Sequence, residues 1–337
     1  MIANLYLHPD TFAYNGVDTE KDVCAKLIAL VEDMTKVICE YSGENKFKVP
    51  TSFPCVCVYE GMTIIDLAEQ CLGNDSKGVF YSMLTDTSDS YDSISFDDLR
   101  DMCNYREEED VVNSVLVFNV PIEDLGEEEK ADSDQEAKMA HQTVDRNYIT
   151  FDKYEIVYSK QTWVHLRRQI LGNHPGGPKA FVEECCKYFP NLCFHKNCES
   201  SLVDEEFNYL ETSPRKMVYY LSCLNDKFCE VYEKHKTIGS NANTLLADFS
   251  GMYGLDEPGS LQQRPEKKSA LTFDFKKNDK KQCEVVCEPH LKISQEDRNC
   301  RVRNINYNRF HPRIYFYFPQ PDVENGRILV GSIGKHI

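Results

Sequence analysis

The chain has 337 residues, which is enough for one large domain or two to three ordinary ones. Its 38 lysine and arginine residues are outnumbered by 55 aspartate and glutamate residues, and the net charge of −17 argues against a generally basic nucleic-acid-binding protein. The 15 cysteines are irregularly spaced, and the sequence shows neither a signal-peptide pattern nor an apolar run of about 18 residues. We therefore expect a cytoplasmic protein with free thiols and no membrane association.

Residues 1–149 predict an acidic domain of mixed α/β structure. Apolar residues at helical spacing predict amphipathic helices over 18–39 and 63–72. Short apolar runs predict buried strands over 55–59, 79–84 and 115–120.

The acidic residues are concentrated in this domain. Residues 83–136 hold 18 acidic and 3 basic side chains. Such a segment is typical of a solvated face or loop. The alternatives are a nucleic-acid mimic or a docking surface for the basic C-terminal residues.

Residues 150–253 predict a mainly helical region, with helices over 161–170 and 214–236. We expect Trp163 to anchor the first of these in the core, with Arg167 and Arg168 in solvent. The glycine- and proline-rich turn at 172–178 lacks the Gly-Lys-Ser/Thr of a phosphate loop, so no nucleotide cofactor is indicated.

A cluster of zinc-ligand residue types lies within the helical region. Cys193, His195 and Cys198 follow Cys185 and Cys186, but their spacing is irregular and no clear second ligand pair follows. We expect buried thiols here, and neither a metal nor another cofactor.

Residues 264–337 predict a basic, antiparallel β-sheet module, which makes the fold class α+β. This stretch has 15 basic and 9 acidic residues, a net charge of +6, so residues 1–263 carry −23. Two stretches alternate in polarity and predict half-buried strands over 284–293 and 313–318. The first strand places Glu288, His290 and Lys292 on its polar face. The second places Arg313, Tyr315 and Tyr317 on its polar face.

These polar faces suggest a chemistry if the two strands pair. Metal-free RNA cleavage needs a base for the ribose 2′-hydroxyl, cations for the phosphorane-like transition state and an acid for the leaving oxygen. A carboxylate, an imidazole and two cations would meet these needs. The alternative is an exposed sheet face whose cross-strand ion pairs contribute little.

The C-terminal stretch also resembles a known family over about seventy residues. The residues that carry the resemblance are Asn304-Ile305-Asn306-Tyr307, Arg313-Ile314-Tyr315-Phe316, Gly326-Arg327-Ile328-Leu329-Val330 and Lys335-His336. They resemble the closing strands of RelE/HigB-type toxins, which are ribosome-associated ribonucleases. The same block resembles the C-terminus of uncharacterised bacterial proteins found in antiviral-defence loci.

The resemblance implies roles for individual residues. Arg313 would contact the scissile phosphate, His290 or His336 would act as acid or base, and Lys292 and Lys335 would assist electrostatically. We expect Glu288, Tyr315 and Tyr317 to help bind the substrate together with Lys335. The chain departs from the toxins in its greater length and its acidic body. This acidic charge is a disadvantage for such a function, because a strongly acidic protein binds RNA poorly.

Two functions follow from these observations. The first is a bacterial antiviral-defence or toxin-like protein that cleaves RNA without a metal through its C-terminal sheet. The second is a non-catalytic subunit or adaptor of a multi-protein defence complex. Partner protein subunits are expected in both cases, and RNA in the first.

Overall fold

The computed structural model describes residues 2–40, 43–85, 90–92, 94–104, 111–116, 156–157, 160–202, 213–262, 264–293 and 312–334. The chain forms two compact units. Unit 1 comprises Met1–His141 and Thr150–Arg167, and unit 2 comprises Gln142–Ile149 and Arg168–Ile337. No helix within the described ranges is long and apolar enough to cross a membrane.

Unit 1 is built on a parallel sheet. Its strands are β1 (Ile2–Leu7), β2 (Asn45–Pro50), β5 (Ser90–Tyr91), β6 (Val111–Leu116) and β7 (Ile156–Val157), in the spatial order β5-β2-β1-β6-β7. Every pairing between these strands is parallel. Residues 3–7 of the central strand β1 are all buried, as expected for a parallel strand that is covered on both faces. Numbered along the chain, the order is 3-2-1-4-5, that of a doubly wound sheet.

Helices make the crossovers between β1 and β6 of unit 1, and a small antiparallel hairpin of β3 (Cys57–Tyr59) and β4 (Met62–Thr63) lies between β2 and the helix α2 (Ile64–Cys71). The helices are α1 (Glu20–Glu40), α2 (Ile64–Cys71), α3 (Asn74–Thr85) and α4 (Phe96–Asn104). Reciprocal hydrogen bonds between Thr63 and Asp66 close a capping box at the start of α2.

The predicted mixed α/β structure is present in unit 1, but two elements differ. Of the buried strand predicted over 55–59, only Cys57–Tyr59 is a strand, and Cys55 and Cys57 are exposed. Residues 79–84, predicted as a strand, lie within α3. Phe80 and Met83 are its buried side chains, and their three-residue spacing is that of a helix face. A six-residue apolar run fits a buried strand as well as a helix, so the sequence pattern alone did not decide between them.

Unit 2 combines helices with a mixed sheet. Its helices are the end of α5 (Lys160–Asn173) from Arg168 onward, α6 (Pro178–Tyr188), α7 (Asn197–Ser201), α8 (Ser213–Thr237) and α9 (Ala242–Met252). Its main sheet has the order β8-β14-β13-β12-β9, with β8 (Leu192–Phe194), β9 (Ser260–Leu261), β12 (Pro289–Lys292), β13 (Arg313–Tyr317) and β14 (Ile328–Gly334). Four of these strands are antiparallel, and β8 pairs parallel to β14. The α+β prediction is confirmed.

The arginines of α5 are not in solvent, so that prediction was wrong. Arg167 and Arg168 are 2% and 5% exposed. Arg167 lies 3.4 Å from a carboxylate oxygen of Glu44, and Arg168 lies 2.6 Å from one of Asp226. Each charge is buried because a carboxylate accompanies it.

Both faces of the unit 2 sheet are covered. On one face, Leu291, Ile314, Phe316 and Ile333 share a core with side chains of α8 and α9. On the other face lies a hairpin of β10 (Thr272–Lys276) and β11 (Gln282–Val286), which buries Tyr315 and Leu329. The predicted polar face of the sheet is therefore an interior layer over much of its area.

The strand predicted over 284–293 was also wrong, because the chain changes sheets within it. Residues 282–286 pair with β10, whereas 289–292 pair with β13. Between them, Cys287 N donates to Leu271 O, and Pro289 has no N–H to continue the first ladder. Glu284 therefore lies in the hairpin, not in the strand that carries His290.

Gly331 permits the close approach of the hairpin to the sheet. Tyr315 pairs with Ser332 but Phe316 pairs with Val330, so Gly331 is the extra residue of a β-bulge in β14. A Cβ atom on Gly331 would lie 2.3 Å from Phe273 Cδ2. The bulge also brings Ser332 opposite Tyr315 while Ile333 stays in the helix-side core.

Candidate functional site: a polar row across the unit 2 sheet

One row of polar residues crosses four strands of the unit 2 sheet. Ser260 on β9 pairs with His290 on β12, His290 pairs with Tyr315 on β13, and Tyr315 pairs with Ser332 on β14. His290, Tyr315 and Ser332 are 2%, 0% and 0% exposed, whereas Ser260 is half-buried on an edge strand of the described sheet. We call these four residues the polar row.

The contacts of His290 define its tautomer. Nδ1 lies 3.1 Å from the carbonyl oxygen of Glu288, which can only accept, so Nδ1 carries a proton. Nε2 lies 3.3 Å from Arg313 Nη1, which can only donate, so Nε2 offers its lone pair. The hydroxyl of Ser260, 3.2 Å from Nε2, then also donates to it. These contacts favour the tautomer with its proton on Nδ1 and with the Nε2 lone pair shared between the Ser260 hydroxyl and the Arg313 guanidinium.

A second cross-strand pair supplies the cations. Lys292 and Arg313 lie directly opposite each other on β12 and β13 and are both half-buried. Lys292 Nζ is 3.9 Å from a carboxylate oxygen of Glu257, which is a weak pairing. Arg313 Nε is buried and has no hydrogen-bond partner in the part of the chain that the structure describes. The structure thus brings together His290, Lys292, Arg313 and Tyr315, as the sequence predicted for paired strands.

The remaining candidate residues fall elsewhere. The carboxylate of Glu288 pairs with Lys268 at 2.7 Å, while its main-chain carbonyl accepts from His290. Tyr317 lies two residues along β13 from Tyr315, opposite Leu329. Lys335 and His336 lie outside the described residues.

The thiols near the sheet are held in their neutral form. Burial raises the pKa of Cys287 to about 12, and it raises the pKa of Cys198 well above its ordinary value. Burial also raises the pKa of Cys193 to about 12 and is the main cause of the lowered pKa of His195. Within the described ranges, no three His, Cys, Asp or Glu side chains are placed to hold a metal ion.

Sequence reasoning missed Ser260 and Ser332. Ser260 lies in a two-residue strand that the sequence places in a polar, turn-rich stretch, so no alternation signals it. Ser332 joins the polar row only because the bulge at Gly331 shifts the register of β14. Both positions depend on strand pairings between distant parts of the chain.

The topology of unit 1 marks a second position where a ligand could bind. In doubly wound sheets, ligands bind at the carboxyl ends of the strands where the strand order reverses. Here that point lies between β1 and β6, where His8 N donates to Leu116 O at 2.9 Å. The connection over 8–19 has a single glycine, Gly16, so it is not a glycine-rich phosphate loop. The residues that follow β6 lie outside the described ranges, and we assign no site there.

No protein-family model, curated protein or solved structure gives a significant match to this chain.

Proposed function

We propose that the protein is a bacterial antiviral-defence or toxin-like enzyme that cleaves RNA without a metal, through the C-terminal sheet of unit 2. The observation that carries the proposal is the contact of 3.3 Å between His290 Nε2 and Arg313 Nη1, with Lys292 opposite Arg313. It combines a base with two cations on neighbouring strands.

The roles follow from the charges. A planar guanidinium matches two oxygens of a phosphodiester, so Arg313 would bind the scissile phosphate and Lys292 would add positive charge. His290 would remove a proton through Nε2 and later return it to the leaving oxygen. The Glu288 carbonyl fixes the ring by accepting from Nδ1. Such an enzyme would act in the cytoplasm, where RNA is found.

A cleavage assay tests this proposal. Full-length protein is incubated in EDTA with an end-labelled RNA of several hundred nucleotides and with ribosomes translating an mRNA. Removing one electrostatic contact to the transition state costs about 100-fold or more in rate, so we expect such a loss for Arg313→Ala and for His290→Gln. Exposed Arg264→Ala is the control and should cleave like the wild type. Cleavage by Arg313→Ala at the wild-type rate, or no cleavage by the wild type on either substrate, would refute the proposal.

A second function is favoured by a different observation. His290 and Tyr315 are buried, and the β10–β11 hairpin covers part of the same face. A buried polar row of this kind can fix the strand register of a non-catalytic subunit, which would act as an adaptor in a multi-protein defence complex. In that case His290→Gln would lower the melting temperature without any RNA cleavage to lose. Native mass spectrometry after co-expression with the products of neighbouring genes would show a defined stoichiometric complex.

A further inference from the structure

We infer that Ser260 is a nucleophile, activated by His290, for attack on a phosphoryl ester. The inference rests on the proposed function in its choice of a phosphodiester substrate, and it names the attacking group. It begins from the direct contact of the Ser260 hydroxyl with His290 Nε2, at 3.2 Å. A serine is a weak nucleophile unless a neighbouring base removes its proton.

Ser260 is more exposed than His290, as expected for a nucleophile and the base behind it. The imidazole of His290 is 2% exposed, whereas Ser260 is half-buried on the edge strand β9. A substrate that approaches the edge of the sheet meets Ser260 before it meets the ring behind it. A ribose 2′-hydroxyl, by contrast, would have to displace the serine hydroxyl from Nε2.

The base is oriented by a third group. Nδ1 of His290 donates to the Glu288 carbonyl at 3.1 Å, which keeps the Nε2 lone pair directed at Ser260 and Arg313. A nucleophile, a base and an orienting acceptor in hydrogen-bonded sequence are the arrangement that activates serine in unrelated hydrolases. In this site a main-chain carbonyl takes the place of a carboxylate.

The backbone around Ser260 is closely packed. A Cβ atom on Gly259 would lie 3.1 Å from Leu291 Cδ2 and 3.3 Å from Leu246 Cβ. Gly259 N donates to the buried Ser250 Oγ at 2.8 Å, and Leu261 N donates to Asn243 Oδ1 at 3.2 Å. These contacts hold the short strand against β12, so the hydroxyl is positioned before a substrate arrives.

Arg313 determines the class of substrate. Its positively charged guanidinium lies 3.3 Å from Nε2, so an anion bound to it would lie next to the base and the Ser260 hydroxyl. An anionic phosphodiester bound to Arg313 would offset that charge as the proton arrives. A neutral ester would not, which favours a phosphoryl over an acyl substrate.

The reaction balances without a metal or redox partner. Ser260 Oγ attacks phosphorus while its proton passes to His290 Nε2, and the bond from phosphorus to the leaving oxygen breaks. His290 gives the proton to that oxygen, which leaves as an alcohol, and the phosphoryl group stays on Ser260. A water molecule deprotonated by His290 then cleaves the serine–phosphorus ester and restores the hydroxyl.

Labelling with a fluorophosphonate tests the nucleophile directly, since Ser260 Oγ would displace fluoride from phosphorus. Full-length protein is treated with the probe, digested and analysed by peptide mass spectrometry. We expect Ser260 to react at least about 100-fold faster than exposed Ser269 in the same sample, and to lose that advantage in His290→Gln or in urea. Labelling of Ser260 at the rate of Ser269 would overturn the inference. Because this comparison is made within the wild type, it does not depend on the folding of a variant.

Product analysis separates this inference from the proposed function. Attack by Ser260 releases RNA ends bearing a 3′-phosphate and also cleaves a strand with 2′-deoxyribose at the scissile position. Attack by the ribose releases 2′,3′-cyclic phosphate and spares the deoxy strand. Cyclic ends would refute the serine nucleophile while RNA cleavage stands. A labelled Ser260 without RNA cleavage would refute the RNA substrate while the activated serine stands.

Discussion

Gly331 of β14 lies against the ring of Phe273 on β10, so close that a Cβ atom would stand 2.3 Å from Phe273 Cδ2 and 2.9 Å from Cys287 Sγ. This contact joins the hairpin to the main sheet of unit 2. It also explains why a glycine occupies the bulge, since any other side chain would force the two layers apart.

Gly331→Ala should therefore destabilise unit 2. Overpacking a well-filled core costs about 1–3 kcal/mol, and we expect a value in the upper part of that range because the obstruction is an aromatic ring. Urea unfolding followed by circular dichroism measures the change. Gly251→Ala is the matched control, because its Cβ would meet nothing within 4 Å on the exposed side of α9. It should stabilise by about 0.5–1 kcal/mol. If Gly331→Ala lowered the free energy of unfolding by less than an ordinary surface substitution does, the result would contradict the close contact.

Two buried serines of unit 2, Ser332 and Ser250, should respond in opposite ways to substitution by alanine. Ser332 Oγ is buried and has no hydrogen-bond partner among the described residues, so Ser332→Ala removes an unsatisfied group and should raise the free energy of unfolding by about 1 kcal/mol. Ser250 Oγ donates to Leu246 O and accepts from Gly259 N, both at 2.8 Å. Ser250→Ala leaves that N–H unpaired and should cost about 1–3 kcal/mol. Thermal and urea unfolding would measure the change in the free energy of unfolding for each variant. Changes of the same sign in both variants would contradict the assigned hydrogen bonds.

Arg168 is expected to be a strong stabilising residue of unit 2. Its guanidinium donates to Asp226 at 2.6 Å and to Tyr188 O at 2.8 Å, and lies 4.5 Å from the ring centroid of Phe189. Arg168→Ala should cost about 3 kcal/mol, because it removes a hydrogen bond to a buried carbonyl and a partly buried ion pair.

Two further variants separate the contributions at Arg168. Arg168→Lys should recover less than half of the loss, since an ammonium group lacks the planar fork of the guanidinium. Asp226→Asn should cost less than Arg168→Ala, because the Asp226 side chain is 37% exposed. Full recovery by lysine in urea unfolding would show that charge alone matters at this position.

Alkaline pH should weaken the fold through Cys287. Burial raises its folded pKa to about 12, above the ordinary value of 9.0 that the unfolded chain would show. Its contribution is fully present below pH 9 and decreases as the pH rises towards 12, because only the unfolded chain ionises in that window. At pH 10 the loss relative to pH 7 should be about 1.4 kcal/mol from this thiol.

The thiol's contribution is measured by comparison with Cys287→Ala, in reducing buffer at both pH values. The variant should lose less stability between pH 7 and pH 10 than the wild type, by the amount given above. Iodoacetamide should modify the exposed Cys55 and Cys186 in the folded protein but not Cys287. Rapid modification of Cys287 without unfolding would contradict its burial.

The sequence by itself determined the local elements with strong periodicity. The helices over 20–40 and 213–237 follow from apolar residues at helical spacing, and the alternation of 313–317 defines β13. It also determined that Arg313 and Tyr315 share a face that lies opposite Ile314 and Phe316, since strand geometry alone fixes this.

Only the tertiary structure decided what covers each face and which strands pair. The polar face carrying Tyr315 is covered by a hairpin, the stretch over 284–293 is divided between two sheets, and Ser260 reaches His290 from thirty residues away. These arrangements depend on pairing and packing between distant segments, whose free energy no local pattern of polarity encodes. Alternation predicted that one face would be polar. Burial and register then placed a serine hydroxyl against a histidine on it.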